Sequence, residues 1–247
     1  MKNQSFFIIC FGIFLNCSGQ QSTSFEIRET VEDFDFKQTQ ESFSRQKDSI
    51  LFDDQLYQIR STCSGEWGGS IWFKNKKTGI EYSCEATCPV VVNKLNNKYF
   101  VTTALAHGIG FSQIIEVTNP ELMEVFELPE PTEQEDGTFV RYVGDDESKS
   151  IKGRTILADS TGVLTISSFP FQNELYHIIT DFKQTYISKI LDGQFSVIDT
   201  VSNKSIWTYN PEVIITEDGH YVTFFWNDES KGYLDIWSNK IELKLLE

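Results

Sequence analysis

The sequence predicts an all-β fold assembled from repeated four-stranded units of about 40 residues, and three observations carry that prediction. First, residues 135–142 (EDGTFVRY) and 217–224 (EDGHYVTF) align without a gap at an offset of 82 residues. The match runs on through Asp146-Glu147-Ser148-Lys149 and Asp228-Glu229-Ser230-Lys231, giving eight identities in fifteen positions. Second, an offset of 82 is two periods of 41, and four of the six prolines keep that period: Pro89, Pro129, Pro170 and Pro211 are separated by 40, 41 and 41 residues. Third, an aromatic or β-branched run follows each of these prolines, centred on Val101, Val140, Ile179 and Val222, with a fainter equivalent at Ile59. Such residues suit a pleated, half-buried surface.

The last unit shows the internal logic. Residues 211–216 (PEVIIT) read as a strand, and Glu217-Asp218-Gly219 as a turn that uses glycine's tolerance of positive φ. His220–Trp226 is a second strand and Asn227–Gly232 a loop, while residues 233–238 and 241–246 complete four strands. Pro211-x-Val213 followed by Asp218-Gly219-x-Tyr221-Val222 and then Gly232-Tyr233-x-Asp235-Ile236-Trp237 resembles a WD40-like blade of TolB-type propellers. The likeness covers this unit well, the unit at Pro129 in part and the others weakly. It implies a five-bladed β-propeller, with a β-sandwich as the alternative architecture. It says little about function, because propellers host many unrelated activities.

The N-terminus is set aside before the folded part is counted. Lys2 precedes a short apolar run at residues 5–15, too short to span a bilayer, which needs about 20 residues. It reads as a signal-peptide core. Its end, Phe14-Leu15-Asn16-Cys17-Ser18-Gly19, resembles a bacterial lipoprotein signal with Cys17 as the lipidated first residue, although Asn16 stands where a small residue is usual. Plain secretion with cleavage after Ser18-Gly19 is the other reading. The resemblance implies a membrane-anchored protein of the bacterial cell envelope, and Ser18 after the cysteine points to the outer membrane. The expected organisation is a signal peptide over 1–16, a flexible lipid-anchored tether over 17–47 with a short helix near Val31–Phe43, and the propeller over 48–247.

The balance of 21 basic against 36 acidic residues, a net charge of −15, argues against a nucleic-acid partner, which would need a basic face. No nucleophile, phosphate-loop, dinucleotide or zinc-protease motif is present, and no cofactor is expected. The family geometry implies that the loops after each second strand open on one face around the axis. That face would collect Glu66, Trp67, His107, Asp145, Asp146 and Asp228 as candidate binding residues. Cys63, Cys84 and Cys88 all approach the same rim. They are candidates for one disulfide, Cys63 with Cys84 or Cys88; a metal site with His107 is the weaker reading, because C-x3-C is a loose spacing. His177 and His220 lie in or beside strands and read as structural.

Together these features predict a lipid-anchored, non-enzymatic binding or assembly module that meets an envelope protein or a glycan through its loop face. The alternative is an extracellular hydrolase acting on glycans through rim carboxylates, a chemistry that needs two of them roughly 5–9.5 Å apart.

Overall fold

The computed structural model describes residues 25–43, 50–64, 68–142 and 144–247. Cys17, Glu66 and Trp67 lie outside the described residues. Strand β1 (Glu26–Glu32) and helix α1 (Phe36–Phe43) come first. A first sheet follows from β2 (Ile50–Asp53), β3 (Tyr57–Thr62), β4 (Ser70–Asn75) and β5 (Glu81–Glu85), and a second opens with β6 (Pro89–Leu95), β7 (Lys98–Leu105) and β8 (Phe111–Val117). The chain then leaves on an excursion. It adds the short β9 (Glu124–Val125) to the edge of the first sheet beside β5 and makes the hairpin β10 (Thr132–Glu133) and β11 (Phe139–Val140). It returns as β12 (Thr155–Thr161), which completes the second sheet against β8. The third sheet is β13 (Leu164–Phe171), β14 (Glu174–Thr180), β15 (Thr185–Leu191) and β16 (Gln194–Ser202). The fourth is β17 (Val213–Ile215), β18 (Tyr221–Trp226), β19 (Lys231–Trp237) and β20 (Lys240–Leu246), with β1 added in parallel to β20.

Each large sheet is an antiparallel meander, and two-residue alternation sets its faces. In β18, Phe225 joins the core between the third and fourth sheets, while Val222 and Phe224 face the other way. Tight reversals join the strands: Asn96-Asn97, Gln172-Asn173 and Asp192-Gly193 all hold both central residues at positive φ, the primed turns whose twist matches that of the strands they connect. One apolar core lies between the first and second sheets around Ile59, Phe73, Val101 and Ile115, and another between the third and fourth around Ile178, Phe225, Leu234 and Leu243.

Between the second, third and fourth sheets sits a buried polar knot. Asn93 Nδ2 donates to the Ser168 carbonyl (2.9 Å), and the Tyr221 hydroxyl donates to Asn93 Oδ1 (2.8 Å). Thr102 Oγ1 donates to Ser168 Oγ (2.8 Å), which lies 2.7 Å from His177 Nδ1. Most buried polar groups are paired in this way.

Three expectations are corrected. The all-β class stands, with the predicted strand centres Ile59, Val101, Ile179 and Val222 in β3, β7, β14 and β18, each the second strand of its sheet. The unit after Pro129 is no four-stranded sheet: Val140 lies in the two-stranded hairpin β10–β11, and Phe139 and Tyr142 are exposed. The repeat there preserves the Asp-Gly turn but not a strand long enough to bury both faces. Among the described residues there are four large sheets and no closed barrel or propeller.

Nor is 17–47 wholly a tether. Glu26 to Glu32 pair in register with Lys240 to Leu246. The helix is capped by Asp35, whose Oδ1 accepts from the Gln38 amide (2.9 Å). Phe34, Phe36 and Phe43 then cover the outer face of the fourth sheet, packing edge-on or tilted against Phe224 and Tyr233. Scattered phenylalanines in a polar stretch were packing residues.

Asp54, in the β2–β3 turn, ties the first sheet to the second. Its Oδ2 accepts from Lys94 Nζ (2.6 Å) and the Tyr99 hydroxyl (2.8 Å), and its Oδ1 from the Leu56 and Tyr57 amides (2.7 and 2.8 Å). Burial opposes ionisation of Asp54, but these four donors outweigh it and hold the carboxyl at about 2. A folded pKa below the unfolded one gives stability that is complete above the unfolded value and lost as pH falls through the folded one. Acid unfolding will therefore show a contribution of about 2 kcal/mol fading between about pH 4 and pH 2. Asp54→Asn will lose it already at neutral pH and flatten that part of the curve, measured by urea denaturation across the pH range.

Candidate functional site

Antiparallel meanders segregate their connections. One end of the molecule, the turn end, carries the reversals β2–β3, β4–β5, β6–β7, β13–β14, β15–β16, β17–β18 and β19–β20. The other, the loop end, carries the connections β3–β4, β7–β8, β14–β15 and β18–β19, together with the links between sheets. The loop end is where the candidate residues were expected.

Apolar packing joins the second, third and fourth sheets there. Val90, Ala104, Ala106 and Leu164 form a buried cluster with Phe182, Trp207 and Val213 against it. Gly110 shows how close this packing is: at φ 82° a Cβ there would stand 2.5 Å from the Phe182 ring. The β7–β8 loop, including exposed His107 and Ile109, is folded back on itself by the Gly110 amide donating to the His107 carbonyl (3.2 Å). The aromatic line continues outward from Phe182 to Trp207 (centroids 5.7 Å) and from Trp207 to Tyr209 (5.1 Å), whose ring is exposed. Asn227 Nδ2, in the β18–β19 loop, holds the Ser205 and Trp207 carbonyls at 3.3 Å each, which fixes the link that presents these rings.

On the first-sheet side of this end, Cys63 and Cys88 form a disulfide. By the chain-entropy estimate a loop of this separation, 25 residues, stabilises by about 3 kcal/mol. Cys84 is free and fully buried, and burial pushes its thiol up to about 12, far from the thiolate a metal would need. Among the described residues no group of three or more His, Cys, Asp or Glu side chains is placed to hold a metal ion.

The acidic turn after Gly144 does not form a free carboxylate rim. Glu147 Oε1 accepts from the hydroxyls of Ser64 and Thr62 (3.1 Å for the latter), and Oε2 accepts from the Gly69 amide (2.9 Å). The Ser148 amide donates to Ser70 Oγ (2.8 Å), and the Glu85 amide to the Ser150 carbonyl (2.8 Å). The excursion between β8 and β12 is thereby clamped onto the first sheet, leaving a cleft of about 400 Å³ lined by Ser83, Phe126, Pro129, Glu147 and Lys149. Asp145 accepts from the Tyr142 amide (2.7 Å), Asp146 is exposed beside it, and exposed Asp228 belongs to the fourth sheet's loop. None of the predicted acids among the described residues forms the clamp, which belongs to Glu147: Asp145 and Asp146 lie in the turn before it and Asp228 in the fourth sheet's loop.

Ser168 and His177 stand at the spacing of a hydroxyl–imidazole pair, yet both are fully buried. Ser168 Oγ accepts from Thr102 and is hydrogen-bonded to His177 Nδ1. Burial drives the imidazole down to about 3, and it stays neutral. This is a structural bond. His220 is likewise structural: Nδ1 lies 2.7 Å from Asp235 Oδ1, and the ring stacks on Trp237 at 5.6 Å. Sequence reasoning missed Phe182, Trp207 and Tyr209; the signal available was two aromatics, Trp207 and Tyr209, in a segment between sheets, where core packing does not demand them.

If Glu147 clamps the excursion, Glu147→Ala will lower stability by about 1–3 kcal/mol, through the loss of three hydrogen bonds to a carboxylate. The urea midpoint will report the loss, and proteolysis will become faster within residues 124–150. An unchanged midpoint and cleavage pattern would show that the backbone bonds of Ser148 and Ser150 hold the excursion alone.

Compared with known proteins, the chain matches no family model, no curated protein and no solved structure.

Proposed function

We propose that this chain is a lipid-anchored protein of the bacterial cell envelope, at the outer membrane, acting as a non-enzymatic binding module through its loop end. The observation that carries the reading is the run of rings from Phe182 through Trp207 to exposed Tyr209, beside exposed His107 and Ile109. Rigid aromatic side chains held on packed links give a large contact area at little entropic cost, the property of interface anchors. The chemistry around them favours contact over catalysis. Glu147 is committed to three donors, and the Ser168–His177 pair is closed to solvent. The partner class is an envelope protein or a glycan, both of which stack on or pack against exposed rings.

The same reading treats the four sheets as blades of a propeller-like array. It rests on three features: each sheet is a meander in chain order, successive sheets pack face to face, and the inner strands β6, β13 and β18 meet at Asn93. Helix α1 covers the fourth sheet on the face where a neighbouring blade would otherwise lie.

A photo-crosslinking residue placed at Tyr209 of the full chain, in native envelopes, tests the binding face. It will capture a discrete species that is lost in Trp207→Ala and absent when the same probe replaces Asn97 at the turn end. The same species from both ends, or none from position 209, would overturn the reading.

A further inference from the structure

The chain enters its folded body at the turn end. The Glu26 amide donates to the Asn239 carbonyl in the β19–β20 reversal (2.8 Å). Phe25, just before it, is buried against Phe169, Phe171 and Tyr176 near the β13–β14 reversal, with centroids 5.9, 5.6 and 5.0 Å away. Only seven residues, 18–24, lie between Phe25 and Cys17. Fully extended, a stretch of that length reaches less than about 30 Å. β1 and α1 have absorbed most of the length that the sequence alone assigns to a spacer.

The same end displays apolar side chains that turns do not require. Leu56, Ile80, Leu122, Leu191 and Trp237 are between 41% and 64% exposed. Leu56, Ile80, Leu191 and Trp237 stand at the β2–β3, β4–β5, β15–β16 and β19–β20 reversals, and Leu122 closes the short 3-10 turn that follows β8. All four sheets contribute. The Lys240 ammonium lies 5.7 Å from the Trp237 ring centre, the pairing of cation and indole that suits a headgroup layer.

We infer that the turn end rests on the phospholipid surface, with Trp237, Leu56, Leu122 and Leu191 in the interfacial layer and the loop end directed away from it. The inference rests on the reading of Cys17 as the lipidated residue. The net charge of −15 gives no attraction to an anionic surface, so the contact is apolar and interfacial. It is weak residue by residue, and a short acylated leader makes it effective by turning docking into an intramolecular step. The orientation also presents Trp207 and Tyr209 to whatever lies beyond the membrane.

The test uses the full chain, purified from membranes and reconstituted in phosphatidylcholine vesicles, with brominated phosphatidylcholine as the quencher. The anchor is read first: wild type will float with the vesicles and Cys17→Ala will not. Docking is read second. Brominated lipid will remove part of the tryptophan emission of vesicle-bound wild type and of Trp226→Phe, whose altered residue is at the loop end, and none of that of Trp237→Phe. Vesicle-bound protein with unquenched emission would overturn the docking while leaving the anchor in place. Quenching lost in Trp226→Phe but kept in Trp237→Phe would reverse the orientation and overturn it as well. Wild type that fails to float would remove the anchor, and the inference with it.

Discussion

Asn93 is the side chain at which three of the four sheets meet. Its amide nitrogen holds the third sheet through the Ser168 carbonyl, and its amide oxygen holds the fourth through the Tyr221 hydroxyl. Asn93 is buried and Tyr221 partly so, and burial pushes the Tyr221 hydroxyl up to about 12. Apolar packing between sheets is non-directional and would tolerate sliding. A buried amide with two specific partners does not, because a shift of one residue leaves a donor and an acceptor unpaired at a cost of roughly 1–3 kcal/mol each. The knot therefore sets how the sheets register on one another.

Fixed register is what gives the molecule two distinct ends. Because the strands of each meander reverse direction in step, alternate connections fall at opposite ends, β2–β3, β4–β5 and their counterparts at one and β3–β4, β7–β8 and theirs at the other. At the turn end, Asp54 links the first sheet to Lys94 and Tyr99 of the second. At the loop end, the Phe182–Trp207 contact and the Asn227 side chain join the third and fourth sheets through the link between them. The proposed functions divide along the same line, with a partner met by the loop end and a lipid surface by the turn end. Neither asks for a moving part.

Much of the strand pattern was legible in the sequence because it depends on local alternation. The centres at Ile59, Val101, Ile179 and Val222 fall in equivalent strands, and the turn at Asp218-Gly219 is where its composition places it. What failed depended on tertiary partners. The Pro129 unit shares its Asp-Gly turn with the last unit, yet a turn signature does not reveal whether a neighbouring sheet will accept the next strand; here β12 took that place beside β8. Phe25, Phe34, Phe36 and Phe43 looked like ornaments on a tether, since their partners lie about 200 residues further on in the fourth sheet or in the third. Of the site residues, Cys63, Cys84 and Cys88 do gather near one rim, with the bond between the first and last. Of the acids, Glu66 lies outside the described residues, Asp145 and Asp146 stand in the turn of the excursion, and Asp228 stands in the β18–β19 loop of the fourth sheet.

Amide hydrogen exchange on wild type and Asn93→Leu measures most directly whether the knot holds three sheets as one body. The leucine keeps the branched shape of the side chain and removes both hydrogen bonds. The account predicts that amides of β6, β13 and β18 open together with one free energy in the wild type, and that all three lose protection by the same factor in the variant. Loss confined to β6, with β13 and β18 exchanging as before, would contradict it.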